Sequence, residues 1–220
     1  MAHSPVPYHH GALRQALIDA TEALLAEKGA DGFSLREVAR RAGVSAAAPA
    51  HHFGDASGLL TAVATLGFEG LTKALEVGDA RGDDARSALR EQGIEYVRYA
   101  MDHPGRFRLM FRSGQLQKDA ALEQQGAAAF DVLARGVRRV FGVADAAAMT
   151  PEHWSAVTAL WALVHGYAHL AIAGKLDPLC GEQGLKNFVA GGLGPILTAM
   201  IAGLANELVP PTGIEPVFAA

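Results

Sequence analysis

The sequence predicts an all-α protein: a helix-turn-helix unit near the N-terminus, then a series of longer helices. Three observations carry this. No apolar run alternates with period two between hairpin turns, so strand signals are missing. Apolar residues instead recur at three- and four-residue spacing. Glycines and prolines punctuate the ends of those runs, with Pro195 as the exception.

The elements follow in order. A first helix over about residues 10–28 places Leu13, Leu17, Ala20, Leu24 and Leu25 on one face, and Gly29 stops it. Ser34-Leu35-Arg36-Glu37 has the form of a capping box, with Ser34 capping the start and Glu37 reaching back. That second helix ends near Arg41 because Gly43 breaks it, and Ser45 is placed to cap a third short helix over about Ser45 to His51. Two short helices around a glycine turn form a helix-turn-helix. A longer helix follows through Leu59, Leu60, Val63, Leu66, Phe68 and Leu71, and the loop around Gly78 to Asp83 separates it from the rest.

Further helices are expected at about 84–101, 105–113, 118–141, 151–174 and 182–208, with Pro104, Pro151 and Pro178 near the gaps and Pro195 kinking the last. The expected division is residues 1–55, residues 56–208 and a poorly ordered tail, 209–220.

Composition narrows the function. The 220 residues are 50% hydrophobic, enough for a sizeable core. The single cysteine, Cys180, excludes an internal disulfide and multi-cysteine metal motifs and fits a cytoplasmic setting. No signal peptide is visible. Trp154–Gly174 and Phe188–Ala205 lack charged residues but are diluted by His165, His169, Gly and Ala. They read as buried oligomer helices, and no membrane is expected. With a formal net charge of −4, and five Lys/Arg against six Asp/Glu in residues 1–60, nucleic-acid affinity has to come from local placement of charge.

The run Tyr8-His9-His10-Gly11-Ala12-Leu13-Arg14, then Phe33 through Ser45, Ala48-Pro49, His52-Phe53-Gly54-Asp55 and Leu59-Leu60, resembles the DNA-binding domain of the TetR family of repressors. The resemblance implies that the third helix enters the major groove of operator DNA. Ser34, Arg36, Ser45, Ala46, Ala47, Pro49, His51 and His52 are the residues it assigns to the interface. The small residues Ala46, Ala47 and Pro49 would meet thymine methyls, and Ser45, His51 and Arg36 would be the polar readers. Two positions depart from the family pattern: Ala50 stands where Tyr is usual and Ala56 where Lys is usual, both being phosphate contacts.

Trp161-x-x-x-His165-Gly166 resembles a C-terminal domain of one branch of that family, named for its Trp, His and Gly, and so does the segment Asp102 to Phe111. Tyr96, Phe107, Met110, Phe111, Trp161 and His165 supply aromatic walls with a few polar handles, the make-up of a site for a small, mostly apolar effector. Trp154, Phe130 and Tyr99 share that character. Leu185, Phe188, Val189, Leu193, Ile196, Leu197, Met200, Ile201, Leu204 and Leu208 form a stripe wide enough to predict a homodimer. Two copies of the last two long helices would then pack as a four-helix bundle, holding two reading helices about 34 Å apart.

His165 and His169 have metal-ligand spacing but lack the intervening Glu of a zinc-protease helix, so no metal is assigned. No nucleophile elbow, phosphate-cradling loop or carboxylate pair is present, so neither an enzyme nor a cofactor is expected. Cys180, expected in a loop, is the remaining candidate thiol. The expected function is a ligand-responsive repressor that binds palindromic DNA as a homodimer. The alternative is a dimeric small-molecule-binding protein with weak or lost DNA binding.

Overall fold

A computed structural model describes residues 10–112, 114–181 and 184–208, so the tail expected from residue 209 lies outside the described residues. The helices are α1 (His10–Lys28), α2 (Leu35–Arg41), α3 (Ala48–Phe53), α4 (Ala56–Asp79), α5 (Ala85–Asp102), α6 (Pro104–Met110), α7 (Ala120–Phe141), α8 (Pro151–Ile172), α9 (Asp177–Cys180) and α10 (Gly184–Leu208), with a 3-10 turn at Ala146–Ala148. No strand occurs among the described residues.

Two caps differ from expectation. Ser34 occupies the position before α2, but its side chain makes no capping bond. Glu37 is instead taken by Arg40 and Arg41, because charge-assisted bonds to guanidinium outcompete a bond to a neutral N–H. Ser45 does not cap α3 either: the helix starts three residues later, and the Ser45 carbonyl accepts the Ala48 N–H at 3.0 Å in a preceding turn. The reciprocal box appears at α5, where Asp84 Oδ1 accepts the Ser87 N–H at 2.7 Å and Ser87 Oγ accepts the Asp84 N–H at 3.0 Å.

The chain forms two compact units, and neither is a single stretch of sequence. Among the described residues, the first comprises those up to Phe68 plus His103–Gly126; the second comprises Glu69–Asp102 plus those from Ala127 onward. In the first, Leu17, Ile18, Leu24, Leu25, Val38, Leu59, Val63 and Leu109 form the core. Helix α6 approaches α1 so closely that a Cβ at Gly105 would lie 2.7 Å from the Ala26 nitrogen. Arg106 pairs with Glu22 there, and Arg112 bonds Asp31 at 2.9 and 3.0 Å.

In the second unit, α5 packs against α8 and α10, and Val97, Val164, Leu193 and Leu197 are buried. Gln92, also buried, donates to Asp79 Oδ1 at 2.5 Å, an oxygen that Arg139 shares. The apolar stripe of α10 divides: Val189, Leu193, Leu197 and Ile201 are buried, Leu185, Phe188, Met200 and Leu204 are half-buried, and Ile196 is 44% exposed. The stripe as a whole is therefore not an outward face, since α5 and α8 already cover one side of it. Beside Ile196, the outward surface is built from Ala190, Gly191, Pro195, Thr198, Ala199 and Gly203. Helix α8 is likewise exposed at Trp154, Thr158, Ala162, Gly166 and Leu170.

Cys180 is a correction. It lies in the single turn α9, not in a loop, and is buried with its Sγ 3.1 Å from the Leu176 carbonyl. Burial pushes the thiol pKa up, the wrong direction for a reactive thiolate.

Candidate functional site

The helix-turn-helix is held by backbone geometry at its turn and by charge at its back. Gly43, with φ +68°, adopts the left-handed conformation that ends α2, and the Val44 N–H returns to the Ala39 carbonyl at 3.0 Å. Val38 and Ala39 face the core. Arg41 reaches across to Glu27 on α1 with bonds of 2.8 and 2.6 Å and also donates to Glu37 at 3.0 Å. The flanking arginines hold the Glu37 carboxyl down at about 2, Arg40 contributing most. Arg14 lies over the Phe53 ring at 5.2 Å, tying α1 to α3.

This frame leaves an outer surface of Ser34, Arg36, Ser45, Ala46, Ala47, Ala50 and His51, all exposed. An open groove of about 430 Å³ runs along it, lined by Ser34, Arg36, Glu37, Ala39, Arg40, Val44 and Ala46. Pro49 does not belong to this surface. It is buried because positions 49 and 53, one helical turn apart, carry the inward side of α3. His52 is half-buried, its ring 5.5 Å from that of His51. Glu37, Ala39, Arg40 and Val44 also line the groove and were not among the residues expected there; for Arg40, a position one turn after Arg36 was the available signal.

The six residues expected around an effector fall in both units. Phe107 and Met110 are buried in the first, where the Phe107 and Phe111 rings lie 5.2 Å apart and Phe68 is 5.6 Å from Phe111. Tyr96, Trp161 and His165 come together in the second. Tyr96 is buried, and its hydroxyl lies 2.8 Å from His165 Nδ1. Burial raises the Tyr96 pKa and lowers that of His165, so both groups are neutral at physiological pH.

The rings continue as a row. Trp161 lies 6.0 Å from His165, His165 lies 4.6 Å from His169, and Phe130 meets Trp161 edge-on at 5.8 Å and Trp154 in parallel at 6.3 Å. The metal reading gains nothing from this row: the described residues hold no group of three or more His, Cys, Asp or Glu that could bind an ion.

An exposed helix-turn-helix surface joined to a second, wholly helical unit defines the class of helix-turn-helix transcription regulators. Comparison with known proteins gives the family. Residues 17–63 match the model for bacterial regulatory proteins of the tetR family, and residues 89–185 match the tetracyclin repressor-like C-terminal domain. A protein of unknown function from Rhodococcus sp. RHA1 is 33% identical, covers 91% of this chain and 100% of its own, and superposes with a TM-score of 0.72. A TetR family transcription regulator from Marinobacter aquaeolei VT8 shares the fold at 18% identity, with 88% of this chain and 95% of that chain covered and a TM-score of 0.60. So does the TetR-like regulator LfrR from Mycobacterium smegmatis in complex with proflavine, at 18% identity, 90% and 98% coverage and a TM-score of 0.57. No curated protein matches. The chain belongs to the TetR family of transcription regulators.

Proposed function

We propose that this regulator is a cytoplasmic repressor that binds a palindromic operator as a homodimer and is released by a small, mostly apolar effector. The observation that carries the proposal is the outer surface of α2 and α3, where Ser34, Arg36, Ser45, Ala46, Ala47 and His51 are exposed while the inward positions are locked. In this reading residues 1–55 read the DNA, and His52 contacts it from the edge. Tyr96, Trp161 and His165 form the effector-contacting group, and Trp161, His165 and Gly166 are the residues that favour the Trp-His-Gly branch. Phe107, Met110 and Phe111 enter this reading as packing around α6. LfrR with proflavine, and the Acinetobacter baumannii TetR variant with minocycline, are folds of this kind that hold small molecules.

The exposed faces of α8 and α10 support the dimer. Both helices are long and apolar enough to cross a membrane by length and composition, yet only 33% and 28% of their apolar windows are buried within the chain. A partner copy would cover the remainder in a four-helix bundle, and the small Gly166, Gly191 and Gly203 admit close helix approach.

Selection of bound sequences from random DNA tests the proposal. The expected product is a palindrome bound by two subunits, with affinity falling linearly against log salt. Failure to enrich any sequence overturns it. Ala50, exposed on α3, and Ala56 favour a second reading, a dimeric small-molecule-binding protein with weak DNA affinity, because each removes a phosphate contact of the family pattern. Ligand binding without sequence enrichment would establish that reading.

A further inference from the structure

Helix α2 carries two arginines one turn apart on its exposed side, and both line the groove beside Ser34 and Ala46. Arg36 makes no ion pair among the described residues. Arg40 Nε and Nη2 both donate to the Glu37 carboxylate at 2.8 Å. Glu37 also accepts from Arg41, whose remaining guanidinium nitrogens are satisfied by Glu27. The two arginines are thus held unequally: the Arg41 side chain is 20% exposed and braced by two carboxylates, while that of Arg40 is 71% exposed and braced by Glu37.

We propose that Arg40 is a further DNA contact, to a backbone phosphate at the groove, and that Glu37 pairs with its guanidinium in the free protein and competes with phosphate for it. The inference rests on the repressor reading above. Its physical basis is the fork geometry of arginine. Nε and Nη2 occupy one edge against Glu37, which leaves Nη1 for a second acceptor. An exposed ion pair within one helix is weak and screened by salt, so a phosphate displaces Glu37 at little cost. Releasing Glu37 leaves Arg41 anchored by Glu27, so α2 keeps its seat on α1. In a chain whose first 60 residues are not basic, a cation stored beside its own carboxylate gives phosphate affinity without net charge.

The experiment measures equilibrium binding to the selected operator as a function of KCl for wild type, Arg40→Gln, Arg40→Lys, Glu37→Gln and the Arg40→Gln/Glu37→Gln pair. Arg40→Gln should flatten the slope of log K against log salt by about one and leave the thermal unfolding midpoint unchanged. Arg40→Lys should restore the slope. Glu37→Gln should tighten binding severalfold in the wild-type background, and that gain should shrink when Arg40 is already Gln. An unchanged slope in Arg40→Gln overturns the contact. An equal gain from Glu37→Gln in both backgrounds overturns the competition for Arg40, since the carboxylate would then act only as a charge near DNA. Wild type that binds no DNA at any salt would instead fail the repressor reading, and this inference with it.

Discussion

The two compact units solve the burial problem differently. In the first, the apolar residues of short helices are covered from within. Leu17, Ile18, Leu24, Val38 and Leu59 are fully buried, and arginine–carboxylate pairs such as Arg41–Glu27 and Arg112–Asp31 occupy the surface. In the second, α8 and α10 are the most apolar helices of the chain, yet most of each apolar window remains uncovered. Trp154 is 41% exposed, Leu170 47% and Ile196 44%. Surface ion pairs occur in both units, Arg98–Glu95 and Arg135–Asp131 in the second, so what separates the units is how far their apolar helices are covered. One that leaves apolar helices open calls for a partner, and the contrast supports the proposal of DNA contact in the first unit and self-association in the second.

The largest effect should come from the open helices. Leu170→Glu with Ile196→Glu is expected to turn the proposed dimer into a monomer in sedimentation and to lower operator affinity by roughly a hundredfold or more, because both half-sites would no longer be engaged together. A persisting dimer would break the comparison. In the first unit the equivalent injury is to the core. Phe107→Ala should cost about 3–5 kcal/mol in denaturant unfolding, whereas Trp154→Ala, on a ring 41% exposed within the chain, should cost less than half of that when made in the monomeric Leu170→Glu/Ile196→Glu background. Similar losses at both would show that the units do not differ in self-sufficiency.

Smaller changes sharpen the functional side. Ala50→Tyr with Ala56→Lys should strengthen operator binding and steepen its salt slope by about one, the added lysine supplying a phosphate contact. An unchanged slope would show that these positions do not face DNA. Trp161→Phe should weaken effector response while leaving fold and DNA binding intact, since the ring largely preserves packing. Loss of dimerisation instead would assign Trp161 to the dimer core.

The smallest effect is one of pH. The folded His165 pKa lies below its ordinary 6.5, because burial disfavours the charged ring. The unfolded chain therefore binds more protons, and this contribution to stability is whole above 6.5 and is lost as pH falls from 6.5 toward the lower folded value. Unfolding free energies measured from pH 7.5 to 5.5 should show that loss in wild type and a flatter profile in His165→Gln. Identical profiles would remove His165 as the cause.

Much of this architecture was legible in the residues. The spacing of Leu13, Leu17, Leu24 and Leu25 and the stop at Gly29 locate α1 as found, and Gly43 separates α2 from α3 as expected. Helix formation is decided by neighbours three and four residues apart, which a sequence displays directly. What each side chain does with its bonding capacity is another matter. Glu37, expected to reach back to the start of its helix, took Arg40 and Arg41 instead. Pro49, small and placed like a groove contact, turned inward. The α10 stripe divided because α5 and α8 claimed one side of it, and residues 103–126 joined the first unit although α5 intervenes in the chain. Each of these outcomes is a competition among partners, most of them distant in sequence. Only the folded chain, by bringing those partners within bonding distance, decides it.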